Sequence, residues 1–222
     1  MFCFNESIFR TLLTLDFKTK QMKIICIGRN YVNHISELGN EKPEEPVIFL
    51  KPDTALLKEG DFYIPEFSND VHHEIEVVVK INKVGKYIEP KFAHKYYSEI
   101  SVGIDFTARD IQQKLKEKGL PWEKAKAFDN SAVVGNFVSV ADLDVDNLEL
   151  ELFKNGISQQ KGNTNQMLWK INNLVAYASQ FFTLKTGDLI FTGTPSGVSK
   201  VEPNDVLEGF LEGQQLFKVN IR

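Results

Sequence analysis

Cysteine is scarce in this chain: Cys3 and Cys26 are the only two in 222 residues. Two thiols make no disulfide framework, and so few fit a reducing compartment, so a cytoplasmic location is expected. No apolar run reaches the roughly 18 residues that a membrane-spanning helix needs, so no membrane partner is expected. Positive charge is also short: 26 Lys and Arg stand against 30 Asp and Glu, a formal net charge of −4. Without a basic stripe to neutralise phosphates, nucleic acid is excluded as a partner class. A phosphate-binding loop is missing too. TGTPSGV follows an apolar run, but Gly193 is followed by Thr194, Pro195, Ser196 and Gly197 rather than by GK[ST] spacing. The segment reads instead as a structural turn or as a substrate-facing loop with free backbone N–H groups. His72-His73-Glu74 lacks the HExxH spacing of a zinc helix, because position 77 is Val77. Adjacent residues on a strand point to opposite faces, so one of the two histidines is expected to pack or to orient a neighbouring carboxylate.

The rest of the composition, 42% hydrophobic and 25% charged, is that of a globular chain long enough to bury a core without staples. Residues 1–21 lack a basic start and a small-residue cleavage site, and Asp16 interrupts their apolar part, so they do not read as a secretory signal. They read either as an N-terminal extension ahead of the strand that opens at Met22, or as a short amphipathic helix. Residues 22–222 read as a single domain.

Along that domain, 23–27 is an apolar strand stopped by Gly28. NYVNHISELGN reads as a short helix ended by Gly39 and Asn40, with His34 and Glu37 on one face. VIFLK is a strand, and FYIPEF a strand broken by Pro65. In HEIEVVVKI the period of two places Glu74, Glu76, Val78 and Lys80 on one face and Ile75, Val77, Val79 and Ile81 on a core face. ISVGIDF is a strand ending near Asp105. Thr107 and Asp110 have capping-box spacing for a helix that runs to Gly119. NSAVVGNFVSV and LELELFKNG are strands, the second turning back at Asn155-Gly156. Asn163-Thr164 is placed as the cap of the longest helix, with Met167, Ile171, Leu174, Val175, Ala178 and Phe182 on its core stripe. LIFTGTP and the C-terminal VLEGFLEGQQLFKVNIR supply further strands. Many strands, about three helices and no regular βαβ alternation predict a β-rich α+β fold.

Two constellations could carry chemistry. Glu74, Glu76 and Asp105, brought together at strand ends, would offer a hard-oxygen site for Mg²⁺ or Mn²⁺. Taken by spacing alone, they equally describe two solvent-facing glutamates on an edge strand and an aspartate in a turn. His34 with Glu37 could be an acid/base pair, the carboxylate fixing the imidazole tautomer, or a surface histidine on a polar helix.

Six segments occur in order: GRNYVNHISELGN, FLKPDTAL, VHHEIEVVVKI, GIDFTARDIQ, PWEKAKAFDNSAVVG and DLIFTGTPSGV. Together they resemble the fumarylacetoacetate hydrolase family, in particular its short acylpyruvase and oxaloacetate decarboxylase-like branch, from about Met22 to the C-terminus. The resemblance implies mixed β-sheets rolled around the active site with flanking helices, 22–222 as one catalytic domain, and a homodimer. It makes Glu74, Glu76 and Asp105 ligands of Mg²⁺ (or Mn²⁺), and His34 and Glu37 a catalytic dyad on a lid helix. Lys126 becomes a catalytic lysine, and Arg109, Gln112 and Thr194 become substrate-binding residues. Arg29 is open to contact with a substrate carboxylate or to bracing the lid. The implied activity is hydrolysis of a C–C bond in an acylpyruvate, a small-molecule 2-oxoacid, to pyruvate and a carboxylate. Alternatives are oxaloacetate decarboxylation or tautomerisation, isomerisation of 2-hydroxyhepta-2,4-diene-1,7-dioate, and a metal-stabilised binding protein without turnover. The chain departs from the family pattern at Ser199, where TGTPxGVG has Gly, and in FDNSAVVG for FDxSAPVG. Both changes bear on loop shape and substrate preference.

Overall fold

The structure is a computed structural model, and it describes residues 22–32, 37 and 42–222. Among the described residues fourteen strands and three complete α-helices are formed. In chain order the strands are β1 (Ile24–Gly28), β2 (Val47–Lys51), β3 (Val71–His73), β4 (Ile75–Ile81), β5 (Tyr97–Asp105), β6 (Thr107–Ala108), β7 (Ala132–Val134), β8 (Val138–Ser139), β9 (Glu149–Lys154), β10 (Ile157–Asn163), β11 (Leu189–Phe191), β12 (Ser199–Lys200), β13 (Val206–Leu211) and β14 (Gln214–Asn220). The helices are α1 (Arg109–Glu117), α2 (Glu123–Lys126) and α3 (Ile171–Phe181). No helix among the described residues is long and apolar enough to cross a membrane.

The strands form three sheets. A seven-stranded mixed sheet has the order β2-β1-β11-β4-β5-β7, with β8 also on β5. Its one parallel pair is β1 with β11. The others have orders β10-β9-β13-β14 and β12-β3-β6. This is the β-rich α+β architecture with rolled mixed sheets that the sequence predicts. Asn155 and Gly156, at φ 55° and 76°, make the expected tight turn between β9 and β10.

The core explains why β4 is so apolar. Ile75, Val77, Val79 and Ile81 join a large cluster with Ile100 and Ile104 of β5, Leu150 and Leu152 of β9, and Leu174 and Val175 of α3. The opposite face is buried too: Val78 packs with Ile24, Cys26, Leu189 and Phe191 in a second cluster. A strand covered on both sides belongs at a sheet's centre, and β4 sits between β11 and β5. The edge-strand reading of Glu74 and Glu76 is thereby overturned.

Other boundaries shift for identifiable reasons. HEIEVVVKI breaks at Glu74, where the chain passes from the three-stranded to the seven-stranded sheet. Thr107 does not cap α1, whose first turn follows Ala108 without a side-chain cap. The Thr107 hydroxyl donates to Glu74 instead. Asn163 does cap, but it caps a 3-10 turn (Thr164–Gln166); α3 begins only after Lys170, so Met167 lies outside it. FYIPEF forms no strand, only a bridge from Phe62 to Ile221. NSAVVGNFVSV divides into β7 and β8. The expected helix stop at Gly39 and Asn40 lies outside the described residues.

Candidate metal centre

Glu74, Glu76 and Asp105 arrive from three backbone positions: the break between β3 and β4, the first turn of the pleat in β4, and the end of β5. Asp105 N–H donates to the Glu74 carbonyl at 2.9 Å, which ties the two positions together. One carboxylate oxygen from each residue lies within 4.8 Å of the others. All three are buried, at 5%, 2% and 0% exposure. Three carboxylates this close and this dry repel one another strongly unless cations stand among them.

Three cationic side chains do so. Lys126 Nζ lies 2.8 Å from Glu74 Oε2 and 2.6 Å from Asp105 Oδ2. Arg109 Nη2 lies 2.5 Å from Glu74 Oε1 and its Nη1 donates to Gln112 Oε1 at 2.7 Å. Lys51 Nζ forms an ion pair with Asp105 Oδ1 at 2.8 Å and donates to Ser131 Oγ at 2.9 Å, to Ser131 O and to Lys126 O. Burial alone would push the Lys126 ammonium down; Asp105 and Glu74 outweigh it and hold its pKa up. Glu76 is different. Among the described residues it pairs with no Lys or Arg, and its Oε2 accepts only the Gly193 N–H, at 2.7 Å. Burial, then Asp105, then Glu74 push its carboxyl well above the usual range. A buried carboxylate with one neutral donor is what a further cation would stabilise, so this donor set fits a hard divalent ion.

Around the triad a cleft is lined by Arg29, Arg109, Gln112, Lys116, Trp122, Lys126 and Thr194. Arg29 has φ 59°, a left-handed conformation that costs about 1–2 kcal/mol for a residue with a Cβ. It is imposed by Asn30, fully buried, whose side chain donates to Trp169 O and Thr192 O and accepts from Trp169 N. Gly193 is needed nearby. Its φ is 100°, and a Cβ there would sit 2.7 Å from that of Asn30.

The structure brings together Glu74, Glu76, Asp105, Lys126, Arg29, Arg109, Gln112 and Thr194 in one cleft. Glu37 is not among the residues that line it; it accepts the Gly197 N–H at 2.9 Å, on the loop that carries Thr194. His34 lies outside the described residues. The N–H groups of Gly193 and Gly197, expected to face a ligand, are occupied by Glu76 and Glu37. His72 bonds Asp70, and His73 bonds Gln160 and Ser199. Burial pulls the His73 pKa down to about 4. Lys51 was not singled out by sequence, although a lysine closing the apolar strand VIFLK and followed by Pro52 is a sign of a buried charge that needs a partner. Asn30, Thr107 and Gln160 gave no comparable signal.

A buried carboxylate triad interleaved with lysine and arginine, at the strand ends of a rolled mixed sheet, defines an α+β protein built around an acidic site that could hold a metal ion. The chain belongs to the fumarylacetoacetate hydrolase family: residues 23–219 match the profile described as Fumarylacetoacetate (FAA) hydrolase C-terminal. It is 43% identical over 197 residues to the oxaloacetate tautomerase YcgM of Escherichia coli (strain K12), covering 87% of this chain and 90% of that one. It is also 43% identical over 194 residues to a mitochondrial oxaloacetate decarboxylase of Dictyostelium discoideum, covering 86% and 89%. Among solved structures, the fumarylpyruvate hydrolase of Pseudomonas aeruginosa in complex with Mn²⁺ and pyruvate superposes with a TM-score of 0.84 at 34% identity, covering 90% of this chain and 88% of that one.

Proposed function

We propose that this chain is a divalent-cation-dependent enzyme that interconverts the keto and enol forms of oxaloacetate. The observation that carries the reading is the carboxylate triad with its interleaved cations, in a chain so similar to an oxaloacetate tautomerase. Glu74, Glu76 and Asp105 would hold Mg²⁺ or Mn²⁺, which when bound acts as a Lewis acid favouring the enolate form of a 2-oxoacid. The charge count favours a dianion. Three acids and three contacting cations (Lys51, Lys126, Arg109) balance, so a divalent ion leaves the centre near +2, the complement of the two carboxylates of oxaloacetate.

The chain's own residues have distinct tasks in this proposal. Arg109 and Gln112, already bonded to each other, form a planar donor surface for a substrate carboxylate. His34, which the family resemblance pairs with Glu37, would take the proton from C3. The Lys126 ammonium, held charged between Glu74 and Asp105, would stabilise the negative 2-oxygen, which takes a proton from solvent while His34 returns its proton to solvent. The reverse sequence returns the keto form. Loss of CO₂ from the same bound substrate yields the enolate of pyruvate without any attacking water, so some decarboxylation is expected alongside.

The test follows the enol absorbance of oxaloacetate and, separately, pyruvate release. Fast tautomerisation with Mg²⁺ or Mn²⁺, abolished by EDTA, supports the proposal; a rate unaffected by EDTA overturns it. A second reading, hydrolysis of an acylpyruvate, is supported by the likeness to the fumarylpyruvate hydrolase that holds Mn²⁺ and pyruvate. Faster pyruvate release from acetylpyruvate than turnover of oxaloacetate would put that reading first. In either case His34→Ala is expected to abolish hydrolysis while only partly slowing decarboxylation.

A further inference from the structure

Ser199, His73, Gln160 and Thr194 form a continuous hydrogen-bonded chain beneath the cleft. The direction of each bond can be worked out from backbone groups whose roles are fixed. Gln160 is 1% exposed. Its Oε1 takes the Ile75 N–H at 3.1 Å, and an N–H can only donate. Its Nε2 faces the Pro195 carbonyl at 3.0 Å, and a carbonyl can only accept. Those two contacts fix which end of the amide is which. The remaining contacts then follow. His73 Nδ1, 2.8 Å from Gln160 Oε1, must carry a proton and donate it. This holds whether the imidazole has one proton or two. His73 Nε2 completes the chain at Ser199 Oγ, 2.8 Å away. The second N–H of Gln160 donates to Thr194 Oγ1 at 2.9 Å.

Thr194 Oγ1 is therefore an acceptor toward Gln160, and its own proton has to point elsewhere. Among the described residues the other protein acceptor in reach is Pro195 O, at 3.4 Å and already taking a Gln160 N–H. What remains is the cleft, which Thr194 lines. The loop is held on β10 closely enough for this to persist: at Gly197, with φ 97°, a Cβ would stand 2.5 Å from the Gln159 carbonyl.

We infer that Gln160 is a positioning residue that, backed by His73 and Ser199, turns the Thr194 hydroxyl into a fixed O–H donor aimed at an oxygen of the bound substrate. The inference rests on the reading that the cleft takes a 2-oxoacid. It adds a residue from β10, outside every segment that carries the family resemblance though bonded to two of them. It also gives Ser199, where the family pattern has Gly, a definite place as the terminus of the chain.

The decisive variant is Gln160→Glu. A carboxylate there still accepts from His73 and Ile75 but cannot donate to Thr194, so the hydroxyl swings around to donate to it and leaves the cleft. If the hydroxyl stabilises charge that develops during the reaction, kcat falls about ten- to hundred-fold, with KM changed about twofold or less. Thr194→Val should show the same loss, and Thr194→Ser should restore most of it. In the Thr194→Val background, Gln160→Glu should then cost about twofold or less, because its target is gone. Multiplying losses, or a Gln160→Glu enzyme as active as the parent, would overturn the relay. Melting temperatures of all variants check that each is folded. An independent readout is ¹⁵N NMR of His73 in the parent protein, which needs no substrate. A proton on Nδ1 supports the chain, and an imidazole protonated on Nε2 alone refutes it. Were the parent to leave oxaloacetate untouched, the proposed substrate would fall, and the His73 tautomer would still decide the relay.

Discussion

Replacing Lys51 by Met should destabilise the metal-free protein by an amount that the geometry allows one to anticipate. The Lys51 ammonium is fully buried, and so is its ionic partner Asp105. Met retains the length and apolar volume of the side chain, so the lost term is electrostatic. The two carbonyls that Lys51 touches keep other donors: Ser131 Oγ donates to Lys126 O, and Phe106 N–H donates to Ser131 O. The cost therefore falls on Asp105. Removing one member of a buried pair costs about 3–5 kcal/mol, and because Asp105 keeps Lys126 at 2.6 Å we expect the lower end, about 3 kcal/mol. For a chain of this size each kcal/mol moves the melting temperature by about 2–4 °C, giving a fall of about 6–12 °C. The assay is thermal unfolding in EDTA for the parent, Lys51→Met, Asp105→Asn and the double variant. Removing the stranded charge should recover part of the loss, so the double variant should melt above the sum of the single effects. A Lys51→Met protein within about 2 °C of the parent, or strict additivity, would refute the argument that Asp105 depends on Lys51.

Further outcomes follow from the same site. Glu76 carries a carboxyl pKa raised on folding, so the folded state holds its proton more tightly than the unfolded state does. The stability of the metal-free protein should then fall as pH rises from the ordinary glutamate range through the folded value. Glu76→Gln removes that slope, should melt higher than the parent at pH 8 in EDTA, and should no longer gain stability from Mn²⁺; a lower melting point would contradict the assigned burial penalty. Gly193→Ala forces a Cβ against Asn30 at positive φ and should cost about 1–3 kcal/mol, read as a lowered melting temperature; an unchanged value would show that the loop yields freely. Mg²⁺ or Mn²⁺ should raise the melting temperature of the parent in a concentration-dependent way and restore the proposed oxaloacetate tautomerisation after EDTA. A flat response would leave the acidic triad without its proposed ion.

The parts of the site that could be read from sequence are those whose pattern is local. Glu74 and Glu76 stand two apart at the start of an apolar run, and Asp105 closes another, which allows convergence; the family resemblance of the six segments, each short and local, was what set it above the reading of solvent-facing glutamates. The double burial of β4 was hidden by that same alternation. Glu76 and Lys80 make one face look wet, and only neighbours such as Phe191 and Cys26, distant in sequence, make Val78 core. Lys51 was missed for a similar reason: its partners Asp105, Lys126 and Ser131 belong to other elements, and no local rule pairs them. Thr107 was misread as a cap because its hydroxyl answers to Glu74, a tertiary contact that overrides the local capping preference.

The threading of Lys51, Lys126 and Arg109 among the carboxylates has a consequence for how the protein lives with its ion. With Glu74 and Asp105 answered by residues of the same chain and Glu76 able to hold a proton instead, folding does not have to wait for a metal. A chain so arranged could be synthesised and persist without the proposed ion and take it up late. If the proposed ion is bound, its removal should cost activity well before it costs the fold.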